Sequence, residues 1–439
     1  MHSIPEHLPK KLTISFWFLN YFLGAGKGDF YHDLEKRIIE LKERGFNTIR
    51  MDAGIGLCYG KNGVPRGTIE FHELLPGYSA IMRQLNCKGG KCNVLKRLLE
   101  LFTLAKKHNV YVILSNWFYL HTFWFVSDEI RNEMFAIPAE ERLMYMAREY
   151  ARILDLLIEK NLHTQIAFLE TTNEFDGVIW GAFQKSKATA ADNPEESERI
   201  MLRFRELHEE AIAFLREKYP FLLIAGDTFS AWAPVNMLPR NMQVWNYHTY
   251  YLWGLYTNSY EAELHKPDFD LINPYKYPML NEFLSKKLTG IDEIFRSANF
   301  DERIEYGWVK RVWLFYNTDR DKLKKLDGWF KKKFIETIAV YKEKAAQSFP
   351  QAMEVKNKYF PGIPLVIGES GSYCAHVDFR WEEQSDEYWA LNEFTTRLAK
   401  KNNYWGYMVR TNSGPEDPVW HAAPDRLKYI NELFLNERN

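Results

Sequence analysis

The chain has 439 residues, 57 Lys and Arg against 58 Asp and Glu, a formal net charge of −1, and 46% hydrophobic residues. That length suits two or three ordinary domains or one α/β barrel, and the hydrophobic share supports a large core. A near-neutral balance with both signs spread along the chain argues against nucleic-acid or anionic-membrane partners, which need a basic patch, and no apolar run reaches the roughly 18 residues of a membrane span.

The chain carries 14 Trp, 25 Tyr and 30 Phe, 16% of all residues. Such rings fill cores, and they also give ligand pockets broad apolar planes. The four cysteines, Cys58, Cys87, Cys92 and Cys374, are too few for a disulfide scaffold and read as free thiols. Cys87 and Cys92 flank a Lys-Gly-Gly-Lys loop, where a disulfide or half a metal site stays open. Near the N-terminus, Lys10-Lys11 followed by an apolar run looks like an export signal. The element count below needs that run as a strand, so a cytoplasmic location is expected, with secretion still open.

Leu12 to Asn20 reads as the first strand, and Trp17, Phe18 and Tyr21 at its end suggest a platform for a sugar ring. Tyr31 to Arg44 has helical periodicity and closes on Gly45. Phe46 to Asp52 is the second strand, with Arg50 and Asp52 on one face. A Gly-rich loop follows from Gly54 to Gly77, then a helix from Asn93 to His108. Val110 to Tyr119 is the third strand and ends in Asn116, Trp117 and Tyr119. A helix from Glu140 to Lys160 leads to the fourth strand, Ile166 to Leu169, which runs into the polar cluster Glu170 to Glu174. A strand buried on both faces that opens into a polar site has this profile.

Asp192 to Lys218 is helical, and Phe221 to Asp227 is strand five. Met242 to Tyr251 is strand six, with His248 and Tyr250 on one face and Trp245 and Tyr247 on the other. Leu252 to Trp329 breaks the rhythm and reads as an insertion, spanning about 252–330, over the barrel mouth. A helix from Lys331 to Lys358 precedes strand seven, Pro364 to Gly368, which again runs into a glutamate, Glu369. A helix from Asp386 to Lys400, strand eight from Tyr404 to Arg410 and a helix from Asp425 to Glu437 complete the chain. Eight strands alternating with helices predict one α/β domain, a (β/α)8 TIM barrel with a large insertion after strand six.

In such barrels the active site sits at the C-terminal strand ends. Glu174 and Glu369 end strands four and seven, so they face one another across the mouth. Glycoside hydrolysis needs this arrangement: one carboxyl protonates the leaving oxygen while the other attacks the anomeric carbon or activates water. The dipeptide Asn-Glu also occurs at Asn132, Asn281, Asn392, Asn431 and Asn436, but only Asn173-Glu174 ends an apolar run of strand length. Arg50 is the candidate cation beside the ionised carboxylate. Glu170, one layer deeper on the face of Glu174, reads as a structural carboxylate paired with a cation. His72, His108, His121 and His248 show no metal-ligand spacing, so neither metal nor other cofactor is expected.

The stretches GFNTIR (Gly45 to Arg50), NE (Asn173-Glu174), HTY (His248 to Tyr250) and IGESG (Ile367 to Gly371) resemble, in order and strand position, glycoside hydrolase family 5 of the retaining clan A barrels. The resemblance implies Glu174 as acid/base, Glu369 as nucleophile, Asn173 on the sugar 2-hydroxyl, Tyr250 hydrogen-bonded to the nucleophile, His248 lining the site and Arg50 orienting Glu369. It also implies an irregular end to strand four, because adjacent residues of a regular strand point apart. Two positions depart from the family. Strand three ends in Asn116 and Trp117 rather than histidine, and strand eight offers Arg410 rather than tryptophan, which would suit an acidic sugar. The insertion suggests a closed pocket and a short substrate. The expected partner is a β-linked carbohydrate; a non-catalytic carbohydrate-binding protein on a degenerate barrel is the alternative.

Overall fold

The computed structural model describes residues 4–72, 87–118, 125–175, 194–228, 234–252, 255, 278–290, 293, 313–371 and 376–436. Its strands are β1 Leu12–Phe18, β2 Thr48–Asp52, β3 Ile69–Phe71, β4 Gly90–Cys92, β5 Tyr111–Ser115, β6 Ile166–Glu170, β7 Ile224–Thr228, β8 Val244–Thr249, β9 Leu365–Ser370 and β10 Gly406–Tyr407. Eight of them close a parallel barrel in the order β1-β2-β5-β6-β7-β8-β9-β10, with β10 pairing back onto β1. The fold is the expected TIM barrel. The barrel strands are buried almost throughout, which is why they read as unbroken apolar runs rather than alternating ones.

Helices Leu34–Glu43, Val94–His108, Arg142–Glu159, Pro194–Lys218, Leu323–Tyr359, Asp386–Lys401 and Pro424–Leu435 form the outer layer. Local chemistry sets several of their ends. Asp33, Asn93 and Ser385 each accept a backbone N–H of the first turn, and Gly45 takes a φ of 76° just past its helix. The run read against an export signal is β1.

The structure also corrects the sequence reading. Strand eight, expected from Tyr404 to Arg410, pairs over Gly406–Tyr407 alone. The helix expected from Lys331 begins at Leu323, inside the segment read as an insertion. Between β7 and β8 the described residues contain only the short turn Val235–Met237. The antiparallel ribbon β3–β4 and the helix Asp128–Phe135 had no clear sequence signal. Within the proposed insertion, residues 253–254, 256–277, 291–292 and 294–312 lie outside the described residues, as do Tyr119, His121 and Cys374. The remainder includes the helix Pro278–Phe283, and Trp313, Leu314 and Phe315 are buried in the core. Cys58, Cys87 and Cys92 are free, buried thiols.

Gly368 in β9 shows how tightly the strand ends are packed. A Cβ there would meet the Nδ2 of Asn246 at 2.2 Å, and that same amide donates to Glu170 Oε1 at 2.6 Å. Overpacking costs about 1–3 kcal/mol. Gly368→Ala should therefore lower the melting temperature by several degrees, read by differential scanning calorimetry; an unchanged midpoint would refute the close contact.

Candidate active site

Arg50 stands at the centre of the lumen with no solvent exposure. Its Nε donates to Glu170 at 3.1 and 3.2 Å, and Nη2 donates to Glu170, Asn173 Oδ1 and Asp227 Oδ2, each at 2.8 Å. Nη1 donates to Glu369 Oε1 at 2.5 Å. The planar fork of an arginine can serve several carboxylates from one position, which a lysine cannot do. Burial works against the charged guanidinium, but Glu170, Asp227 and Glu369 outweigh it and hold its pKa well above the ordinary value. Trp117 lies 4.7 Å from the guanidinium carbon and packs edge-on against Phe16 and Phe18. On the same strand, Asp52 accepts the backbone N–H groups of Gly54 and Trp117 and so fixes the ends of β2 and β5.

Regular structure in β6 stops at Glu170. Beyond it, Asn116 Nδ2 donates to the Thr171 carbonyl at 2.5 Å, and the Asn173 N–H donates to the Asn116 carbonyl at 2.9 Å. Glu174 takes a φ of 45°, a left-handed conformation uncommon outside glycine. This break in the strand lets both Asn173 and Glu174 reach the site despite being adjacent. The Glu174 N–H donates to Asp227 Oδ2 at 3.3 Å, and Glu174 Oε1 lies 2.5 Å from His248 Nδ1.

His248 is sandwiched among carboxylates. Its Nε2 lies 3.2 Å from Asp227 Oδ1 and 3.6 Å from Glu369 Oε1. The β8–β9 register shifts between Tyr247 and His248, turning the end of β8 toward the lumen, and the Tyr250 hydroxyl donates to Glu369 Oε2. Tyr247, on the opposite face, hydrogen-bonds Tyr404 at 2.6 Å. One carboxyl oxygen each from Glu174 and Glu369 and one ring nitrogen of His248 lie within 4.8 Å of one another. The two carboxyls are thus near enough to act on one anomeric centre from two sides. The same three groups have the donor types of a cation site. Both nitrogens of His248 face carboxylates, however, and Arg50 and Tyr250 donate to the two oxygens of Glu369, so a hydrogen-bonded network describes the cluster better.

The electrostatics separate the groups. Burial, with help from Glu369 and Asp227 and against His248, pushes the Glu174 pKa up to about 8. Burial opposes the charge on His248, but Asp227 and Glu369 prevail and hold its pKa well above the usual histidine value. Burial and Glu369 keep the Tyr250 phenol protonated. Desolvation raises Glu170 while Arg50 restrains it. Glu174 keeps 16% of its side-chain surface, more than Glu369 at 6%.

Of the residues expected from sequence, Glu174, Glu369, Arg50, Asn173, His248 and Tyr250 meet in one network, and Trp117 borders it through Arg50. Three do not join it. Trp17 is fully buried on the other face of β1, against Tyr31 and with its Nε1 on Ser15 Oγ, so it is core rather than a platform. The Asn116 side chain is used by Thr171, Tyr150 and the Phe118 N–H, which makes it a stitch between β5 and β6. Arg410 lies in a separate buried cluster with Glu382 at 2.8 Å, Asp417 at 3.6 Å and Glu383 at 3.9 Å, so it is no receptor for an acidic sugar. Sequence reading missed Asp227 and Asn246. Asp227 had a signal, since the run Phe221 to Asp227 ends in a carboxylate as the other two strands do.

Breaking a buried ion pair by removing one partner costs about 3–5 kcal/mol. Arg50→Met, which keeps the stem and removes the charge, should lose at least that much in urea denaturation; a loss below about 1 kcal/mol would contradict the central role of Arg50.

The family model described as sugar-binding cellulase-like matches residues 14–253, more than half of the chain. No curated protein matches the sequence significantly. Among solved structures, a proposed glycoside hydrolase from Parabacteroides distasonis superposes with a TM-score of 0.60 at 17% identity, covering 97% of this chain and 94% of that one. A family 5 glycoside hydrolase from Prevotella bryantii gives a TM-score of 0.45 at 13% identity, covering 97% and 99%. A family 5 mannosidase from Rhizomucor miehei gives 0.42 at 12%, covering 97% and 94%. At 17% identity the first superposition speaks for the fold, a glycoside hydrolase-like barrel. With the model match spanning β1 through β8, the chain belongs to the sugar-binding cellulase-like family.

Proposed function

We propose that the protein is a retaining glycoside hydrolase acting on a β-linked carbohydrate by double displacement. The observation that carries this reading is the approach of the Glu174 and Glu369 carboxyl oxygens to within 4.8 Å, with Arg50 and Tyr250 on one and His248 on the other. In the first step a Glu369 oxygen attacks the anomeric carbon. The bond to the glycosidic oxygen breaks as that oxygen takes the proton of Glu174, leaving a glycosyl-enzyme ester. In the second step Glu174, now a carboxylate, takes a proton from water, whose oxygen attacks the anomeric carbon and releases Glu369. Arg50 and Tyr250 fix the two oxygens of Glu369. His248, charged, donates a hydrogen bond from Nδ1 to Oε1 of Glu174 and keeps its proton, which leaves Oε2 to carry the transferred one. Asn173, held by Arg50, presents its amide beside the anomeric centre, where the sugar 2-hydroxyl would lie.

A second reading is sugar binding without turnover. The description of the matching family and the displacement of Arg410 from the mouth favour it. Glu369→Ala separates the two. With an activated aryl β-glycoside, added azide should restore turnover and yield a glycosyl azide of inverted configuration; binding of oligosaccharide by the unaltered protein with no hydrolysis would establish the second reading.

The pH dependence follows from Glu174, which works as an acid only when protonated. Its pKa is raised to about 8, so the active form is present below that value and lost as pH rises through it. The kcat/KM on a phenyl glycoside should fall on the alkaline side near pH 8, and this limb should vanish in Glu174→Gln. A limb that survives unchanged in that variant would assign it to another group.

A further inference from the structure

The residues on either side of Asn173-Glu174 make a set of contacts that the two-step chemistry does not use. Thr171, the first residue past β6, places Oγ1 2.5 Å from Nε2 of His208, midway along the helix Pro194–Lys218. Phe175, the residue after Glu174, is fully buried. Its ring stacks on Phe204 at 5.8 Å and meets His208 edge-on at 4.7 Å. Phe204 and His208 are four residues apart and so share one helix face. That face grips the loop at both ends, at Thr171 before Asn173-Glu174 and at Phe175 after it.

Two observations indicate that the grip does more than fill space. Glu174 holds a left-handed φ of 45°, a conformation that costs about 1–3 kcal/mol and persists only where its surroundings over-determine it. His208 is itself an expensive choice for a buried site, because its Nδ1 is buried without a hydrogen-bond partner. A leucine would leave no such atom, and what the ring supplies against that cost is the Nε2 contact to Thr171. Burial also pushes the His208 pKa down to about 3, so the contact is a neutral hydrogen bond across the working range.

We infer that His208 is a positioning residue for the general acid: through Thr171 and Phe175 it holds Glu174 in the left-handed turn that aims its carboxyl at the leaving oxygen. The inference rests on the reading of Glu174 as the acid.

The test uses leaving groups of different acidity. A 2,4-dinitrophenolate departs without protonation, whereas a phenolate needs the acid. The two aryl β-glycosides should carry whichever sugar the enzyme cleaves fastest in a panel. His208→Leu should lower kcat/KM about tenfold or more on the phenyl glycoside and less than about twofold on the dinitrophenyl one, since a positioned acid contributes about 10²–10⁴-fold and misplacement forfeits part of it. His208→Gln, whose amide nitrogen can stand near the Nε2 position, should recover part of the phenyl rate. Thr171→Val, which keeps the shape and removes Oγ1, should show the same selective loss and serves if His208→Leu does not fold. Glu174→Gln should show the pattern more steeply. Equal losses on both substrates in the His208 and Thr171 variants, or none, beside a selective loss in Glu174→Gln would overturn the positioning role and leave the acid in place. Equal losses in Glu174→Gln would overturn the acid assignment itself.

Discussion

The site depends on one constraint: a buried guanidinium must satisfy three carboxylates at once. Arg50 reaches Glu170, Asp227 and Glu369, which end three different barrel strands, and binds Asn173 with the same fork. Without it, these acids would share a buried lumen with His248 alone to offset their repulsion and desolvation. With it, each carboxylate is pulled toward one point, and the positions of β6, β7 and β9 relative to β2 become a matter of hydrogen-bond length. The parallel ladder sets the strands side by side, and Arg50 sets their ends.

That arrangement leaves an excess of acid. Four carboxyl groups, Glu170, Glu174, Asp227 and Glu369, surround two cationic groups, Arg50 and His248. The surplus falls on Glu174, which has no contact with Arg50 and relies on His248 alone among the cations. Burial, with Glu369 and Asp227 adding to it and only His248 opposing it, takes the Glu174 pKa up to about 8. The division of labour between a carboxyl that holds its proton and one that is clamped by two donors follows from where the single arginine can reach. His248 joins the halves, since its two nitrogens face Glu174 and Asp227 from opposite edges of one ring.

Much of this was legible in the sequence, because barrel strands are apolar runs and their C-terminal ends carry the chemistry. Eight strands and their order followed from that pattern, and six members of the network from it together with the family resemblance. Asp227 obeys the same pattern, but no motif of the resemblance includes it. What sequence did not reveal were features fixed by contacts between distant segments. The left-handed turn at Glu174 depends on Asn116, His208 and Phe204, none of which is near it in sequence. Trp17 was misplaced because every residue of β1 is apolar or small, so hydrophobicity gives no phase for deciding which face looks inward.

Arg410 and Arg50 make the same point through opposite fates. Each is a fully buried arginine, Arg50 within a barrel strand and Arg410 just past one, and each binds a set of acids. Arg50 follows the in-register ladder of β2, so its direction is set by the pleat and falls in the lumen. Arg410 lies three residues past the two-residue strand β10, where the ladder no longer dictates which way a side chain points. There the choice passes to nearby acids, Glu382 and Glu383 in the short helix Trp381–Gln384 and Asp417 at the N-cap of the helix Pro418–Ala422. A charge at a strand end therefore identifies an active-site residue only as far as regular pairing carries it. The same limit explains why Glu174, four residues past its own strand, needs a turn braced on either side to face the site at all.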